Sequence, residues 1–579
     1  MNYPKLTELP TFRETIDEFR GYNHNLRIGE NEFYEMTNLS SDHYPLLSPR
    51  EKRGIFATPN QPQGMIAKDV LCYIDGSDFI MNETRIPMNL TIDPKPKTLI
   101  SMGVYVIIMP DKKYINTMDF TDQGNIEASF QSTAATEFTL CKSDGTEYSG
   151  ITAQATEPLN PENLAFWLDI SEHPYILKQF SASSENWIII PQTYLKIKAT
   201  GIDKPFHIGD GIHLSGITDF TLAEMLKETV IEAKGTDFLV VKGILEKKIS
   251  QTNPITAIRR MPNLDFIIES ENRLWGCRYG VAWDGQTVNA IYASKQGDFR
   301  NWYCVTDSQE DSYSAFVGTD GPFTGAVSHL GYPIFFKENC MHKIYGNHPK
   351  NYQIQTTALR GVQKGCSESL AIVGETLYYK SRSAVCAYDG SLPIEISSAL
   401  GDVTYQNAVA GALGNKYYIS MADSDGIYHL FVYDTKKKMW HKEDDTEALS
   451  FCSCHGDLYW INHATNQIQS VKGTGTKESL PIRWSATTGI IGTDFPDKKY
   501  ISRMDVRMKL EVGARAAFYA EYDSSGNFEY LFTMTGKNLQ SFSIPIRPQR
   551  CDHLRLRIVG TGEAKIFSIT KTIEKGSDH

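Results

Sequence analysis

In this chain of 579 residues few side chains are spaced as a reactive site requires, and the sharpest grouping is Cys452-Ser453-Cys454-His455 with His463 beyond it. A structural zinc site separates its first two thiols by two to four residues and adds a second pair. Here a single residue separates them and no second pair lies near. On a strand Cys452 and Cys454 share one face, so packing accounts for them and no metal is expected. Glu443-Asp444-Asp445 beside Trp440-His441 offers the paired carboxylates of glycoside hydrolysis. Acid and base would have to converge from separate elements, and the expected state is a solvated loop after a strand ending in Trp440. Asp-Gly pairs at Asp75-Gly76, Asp144-Gly145, Asp284-Gly285, Asp320-Gly321, Asp389-Gly390 and Asp425-Gly426 could open calcium loops. None continues as the alternating Asp/Asn run closed by Glu that calcium needs, whereas Asp-Gly is a strong hairpin-turn pair. Gly209-Asp210-Gly211 lacks the third glycine of a dinucleotide loop and reads as a turn. Phosphate loops and nucleophile elbows are absent. The expectation is therefore no catalytic residue, no cofactor and no metal: not an enzyme.

Basic residues divide into two kinds. Lys436–Lys438, between Tyr433 and Trp440, reads as a charged hairpin tip that resists edge pairing. Arg50, Lys52 and Arg53 end a stiff segment containing Pro45 and Pro49, so extended backbone displays their charges. Guanidinium forks pair with carboxylates, which makes an acidic groove on a neighbouring subunit their expected target. Tyr22, Asn23 and Asn25, in the dense stretch Phe19–Leu26, join Pro45, Arg50 and Arg53 as candidate subunit contacts.

The elements that carry these residues read as strands. Aromatic or β-branched runs alternate with polar turns, as in Leu71–Met81, Val104–Met118, Arg273–Cys304, Tyr332–Tyr345, Thr376–Tyr388, Lys416–Trp440 and Asp457–Val471. Strand, turn, strand is the hairpin signature. Its recurrence about every 40 residues from Tyr332 to Asp457 is the period of a propeller blade. The predicted fold is all-β: a β-propeller of about seven blades with an extended N-terminal arm (1–59), an inserted small β-rich domain (124–243) and a C-terminal β-sandwich (478–579). The propeller would occupy 60–123 and 244–471. Within the insert only Phe220–Lys234 has helical character, and the arm is expected to lie across a neighbouring surface.

Aromatics form 11% of the chain, which suits pleated surfaces. A net charge of −11 argues against a protein whose whole surface grips nucleic acid. Most of the ten cysteines sit in apolar runs as small hydrophobes. Met1–Arg20 has no apolar h-region and no stretch reaches the ~20 apolar residues of a membrane span, so a cytoplasmic origin with reduced thiols is expected.

The arm segments Tyr22–Glu30 and Tyr44–Arg50 resemble virion structural proteins of tailed phages and prophages of Firmicutes. Asn272-Arg-Leu-Trp-Gly-Cys-Arg278, Ile291–Phe299, Gly331–Lys337, Lys498–Arg503 and Arg550–His553 carry the same resemblance. The layout also resembles the tail nozzle proteins of podoviruses, the packaged-DNA stabilisation proteins. That resemblance implies six copies in a ring below the portal and adaptor, in the virion tail, with DNA passing through the lumen unread. It marks Ser294–Phe299 as a blade element. An acidic lumen would let DNA slide, since like charges prevent phosphate contacts from holding it, and the insert would gate the lumen or offer a contact surface. The arm would clip adjacent subunits, so removing residues 1–54 would abolish ring assembly and leave the propeller folded. Two other readings remain: a distal receptor protein holding glycan on aromatic platforms such as Trp484 or Tyr530, and a propeller glycosidase.

Overall fold

The computed structural model describes residues 11–281, 285–493, 498–545 and 550–575. It divides into two compact units, residues 1–97, 336–341 and 357–579 in the first, and 98–335 and 342–356 in the second.

The fold is an all-β propeller, with seven antiparallel sheets of blade type among the described residues, six of four strands and one, blade 7, of five. Blade 1 comprises Pro62–Ala67, Leu71–Asp75, Asp78–Met81 and Thr84–Pro87, and blade 2 Thr98–Met102, Tyr105–Met109, Lys113–Asn116 and Gln123–Asn125. Blade 3 runs from Phe266–Ser270 through Arg273–Val281 and Thr287–Ala293 to Tyr313–Phe316. Blade 4 comprises Gly325–His329, Tyr332–Lys337, Cys340–Tyr345 and Gln353–Ala358, and blade 5 Ala371–Val373, Thr376–Lys380, Val385–Tyr388 and Ile394–Glu395. Gln406–Leu413, Lys416–Ala422, Tyr428–Asp434 and Met439–Lys442 make blade 6. Blade 7 takes Ala448–Cys454, Asp457–Asn462 and Ile468–Ser470 from its own stretch; its fourth strand is Gly54–Ala57, from the arm, and Thr476–Lys477 pairs on the far side of that strand.

Blade interfaces are apolar because the middle strands bury both faces, as in Lys416–Ala422 (KYYISMA). In the first unit the leading strands of blades 5, 6, 7 and 1 pack in that order. Tyr418, Val432 and Leu458 close the seam between blades 6 and 7. Met65, Leu71, Cys454, Tyr459, Ile461 and Ile468 close the next one. In the second unit Ile107, Met109, Ile267, Leu274 and Trp302 join blades 2 and 3.

Asp75-Gly76 and Asp425-Gly426 turn hairpins, with Gly76 at φ +62° and Gly426 at φ +81°, the left-handed backbone that glycine favours. Asp144-Gly145 and Asp389-Gly390 also lie in turns, but Asp320-Gly321 sits in the connection from blade 3 to blade 4. Asp284 lies outside the described residues.

The insert contains an eight-stranded sheet running from Ala128–Gln131 to Thr256–Arg259 and a four-stranded sheet built from Ile151–Gln154, Phe166–Asp169, Ile176–Ser181 and Asn186–Ile189. It thus reaches past Gly243. Its helix is shorter than expected: Asp219 caps Phe220–Leu226 by accepting from Leu222 N at 2.8 Å. Glu228–Gly235 is then a strand: Thr229, Val230 and Ile231 are β-branched, Thr229 and Val230 pair with Ile212 and Gly211, and Ile231–Gly235 pairs across a hairpin with Phe238–Val241.

The C-terminal sandwich is spanned by one 24-residue strand, Lys499–Tyr522. Its first part pairs with Ala564–Lys575 and its last with Leu554–Thr561, with a register break between Leu510 and Arg515. Two edge strands of this sheet come from the arm. Thr11–Ile16 pairs with the last strand and Phe33–Thr37 with Arg483–Thr488. The expectation of an arm lying across a neighbour is corrected here: residues 11–57 are woven into their own chain.

Candidate functional site: the arm clasp

The arm meets blade 6 first. Gly21 adopts φ +81°, and a Cβ there would stand 2.4 Å from Trp440 O. Tyr22 is buried, donates its N–H to Trp440 O at 2.7 Å and sets its ring 5.7 Å from Phe431. Asn23 ties the arm to itself, accepting from Asn25 Nδ2 at 2.7 Å and donating to Glu32 Oε1 at 3.0 Å. Asn25 Nδ2 reaches Ser398 O at 2.8 Å. Pro45 is exposed, and its carbonyl accepts from Phe19 N at 3.1 Å.

The lysine tip expected to be a free charged edge grips this arm instead. Lys437 Nζ donates to Ser41 O at 2.5 Å, Ser41 Oγ to Asp434 Oδ2 at 2.7 Å, and Lys416 pairs with Asp42 at 2.7 Å. Beneath this contact lies His441, fully enclosed, where burial holds its pKa down to about 3 and keeps the ring neutral.

The two arginines find their carboxylates within the same chain. Arg50 forms a bidentate pair with Glu478, at 2.9 and 3.1 Å. Arg53, 6% exposed, divides its fork between Glu443 and Asp444, each at 2.6 Å, and lies 4.9 Å from the Trp460 ring centroid. Coulombic attraction from both carboxylates outweighs the burial that would lower its pKa, and holds it above the ordinary arginine value. Hydrogen bonds and the Arg53 charge likewise hold Asp444 below the usual carboxylate range despite desolvation. Glu443-Asp444 is therefore not a solvated loop but the anionic half of a buried clamp. Sequence reasoning recognised the acids and the arginines and missed their pairing, because |i−j| is 390 for Arg53 and Glu443.

The remaining expected sites resolve into packing. Cys452 and Cys454 line the seam between blades 7 and 1 beside Cys72. Among the described residues no group of three or more His, Cys, Asp or Glu is placed to hold a metal, and no helix is long and apolar enough to cross a membrane. Asp210, read as part of a turn, is a buried acid paired with Arg259 at 2.5 Å. Trp484 is buried, with Nε1 donating to Gly562 O at 2.9 Å, so it offers no exposed platform, while Tyr530 is exposed. In Ser294–Phe299, Ser294 Oγ accepts from Leu274 N and Phe299 packs between Tyr105 and Tyr114.

Beside the clasp lies a groove of about 560 Å³ whose lining includes Arg50, Lys52, Lys472, Lys477, Lys509 and Lys565. Lys509 pairs with Glu511 at 2.9 Å. The lysines concentrate positive charge on a chain whose net charge is −11.

No protein-family model matches the chain, and no curated protein matches its sequence. Among solved structures, PorZ, a bacterial surface component of the type-IX secretion system of Porphyromonas gingivalis, aligns over 90% of this chain and 82% of its own, at 10% identity and a TM-score of 0.25. The exo-β-1,3-galactanase of Phanerochaete chrysosporium aligns over 53% and 94%, at 7% identity and TM-score 0.22. A GH43 glycoside hydrolase with endo-xylanase and exo-arabinofuranosidase activity aligns over 54% and 96%, at 9% identity and TM-score 0.20. The expectation that this chain is not an enzyme is corrected by these neighbours: glycoside hydrolases are among them, and the exclusion is withdrawn. At such identities and TM-scores the alignments carry no argument for a particular activity here.

Proposed function

We propose that the chain is a structural subunit of a phage tail, forming the nozzle or hub ring below the portal and adaptor that retains packaged DNA and conducts it on ejection. Six copies would complete the ring. The observation that carries this reading is the interlock of the arm. One segment supplies the fourth strand of blade 7 and two edge strands of the C-terminal sandwich, and a buried arginine clamp fastens it between them. A subunit built this way cannot be pulled apart domain by domain without breaking strand pairing and a desolvated ion pair together. That is what a conduit under internal pressure requires. The net charge of −11 fits DNA sliding past without lasting phosphate contacts.

The clasp side chains are spent within the chain, so the contacts between copies fall to other surfaces than the arm residues first expected. Cryo-electron microscopy of intact particles tests the assignment. A ring of propellers directly below the portal and adaptor supports it; density confined to the distal tip, or absence from the particle, overturns it.

A further inference from the structure

A second cavity in the first unit, about 880 Å³, is assigned to no role by the reading above. It is lined by the turns after two middle strands, at Glu338-Asn339 and Ser381–Ala384, and by the connections Leu359–Gln363 and Ser397–Tyr405. Its size suits a ligand of two or three sugar rings. The arm braces one wall, through His24 N on Ala399 O and Asn25 Nδ2 on Ser398 O, both at 2.8 Å.

Lys380 is the unusual member of this lining. It is 3% exposed, and its ammonium donates to Gln363 Oε1 at 2.9 Å and Ser381 O at 2.5 Å, both neutral acceptors. An ammonium has three donors, and among the described residues no carboxylate pairs with this one. Burial lowers its pKa, as expected for a charge taken from water without a counterion. Arg382, at the same turn, is exposed and has no ion-pair partner among the described residues, whereas Arg360 is neutralised by Glu395 at 3.1 Å.

We propose that this cavity binds a sugar carrying a carboxylate, of the uronic or sialic acid kind, with the carboxylate on Lys380 Nζ and the Arg382 guanidinium. The sugar's hydroxyls meet the Ser383, Ser398, Thr404 and Asn339 side chains of the lining. A polyanion such as a phosphodiester chain fits less well. Glu338 and Asp402 also line the cavity and repel a second negative charge, while the spare ammonium supports one.

Titration calorimetry on the full chain tests this with sialyllactose, a hyaluronan tetrasaccharide and, as the neutral match, lactose. At least one acidic sugar is expected to bind at least tenfold more tightly than lactose. Arg382→Ala, at an exposed position, should weaken that binding fivefold or more with an unchanged melting temperature. Lys380→Met, which keeps the stem and removes the charge, should abolish it. Equal binding of lactose, no binding of either acidic sugar, or Arg382→Ala binding like the parent each overturns the proposal. Should Lys380→Met fail to fold, the Arg382→Ala comparison decides. None of these outcomes depends on where the protein sits in a particle.

Discussion

Arg53 Nη2 and Glu443 Oε2 stand 2.6 Å apart with both side chains 7% exposed, which fastens the N-terminal arm to the strand end of blade 6. Removing one member of such a pair leaves a buried charge without its counterion, which costs about 3–5 kcal/mol, whereas replacing both removes the problem. Arg53→Met should therefore lower the melting temperature sharply. The triple variant Arg53→Met, Glu443→Gln, Asp444→Asn should recover much of the loss. A triple variant no more stable than the single one contradicts the clamp.

Deleting residues 1–54 should destabilise the propeller itself. It removes Arg53 and Gly54, the first residue of the arm strand in blade 7, and leaves Ser470 and Lys477 without their partner there. Limited proteolysis should then cut within 448–477, a stretch that the intact chain protects. A truncated protein as resistant as the full chain would return the arm to a purely external role.

His441 gives the clasp a pH dependence with a definite sign. Its folded pKa of about 3 lies below the ordinary value near 6.5, so the unfolded chain binds a proton that the folded chain refuses. The stability this group contributes is complete above about pH 6.5 and declines as pH falls toward 3, at about 1.4 kcal/mol per pH unit once the unfolded ring is charged. Asp444 and Glu478, held below their ordinary values, are lost in the same direction at lower pH. Melting temperatures from pH 7.5 to 4.5 should fall, and His441→Gln should flatten the part between 6.5 and 5.

Gly21 combines left-handed backbone with a carbonyl where a side chain would begin. Gly21→Ala should cost about 1–3 kcal/mol and loosen Tyr22, read as faster amide exchange at Tyr22 and Asn23. Gly103, also at positive φ but with open space around it, is the control and should cost less when replaced by alanine.

Burial pushes the Cys72 and Cys452 thiols up to about 12. Thiolate is the reactive form, so the native protein at pH 8 should take up iodoacetamide at neither position, while the unfolded chain is alkylated at both. Rapid native labelling of Cys452 would reopen its seam as a reactive site.

The blades were readable because alternation and turn chemistry are local. Runs such as Lys416–Ala422 bury both faces wherever they sit, and Gly76 and Gly426 mark their hairpins unaided. What escaped was decided by partners far along the chain. Thr229–Ile231 looked helical beside Phe220–Leu226, but strands on both sides claimed them, Gly211–Ile212 pairing with Val230 and Thr229, and Val241 with Ile231. Trp484 looked like a platform because nothing nearby shows that Gly560 leaves room for its ring; a Cβ at Gly560 would stand 2.0 Å from it. The Arg50–Glu478 pair spans 428 positions, beyond the reach of any motif. Lys380 ends an ordinary apolar strand run, and only the surrounding cavity distinguishes it.

The borrowed strand of blade 7 also sets an order of events during synthesis. Gly54–Ala57 leaves the ribosome more than 400 residues ahead of Ile468–Ser470, the strand it pairs with, which follows the six other blades. Blade 7 therefore cannot close until all the other blades have emerged, and the early strand must wait with its backbone donors and acceptors unmatched. Pairings of such long loop-closure distance are slow to form, so nascent chains of this protein should depend on chaperone capacity more than their compact blades suggest.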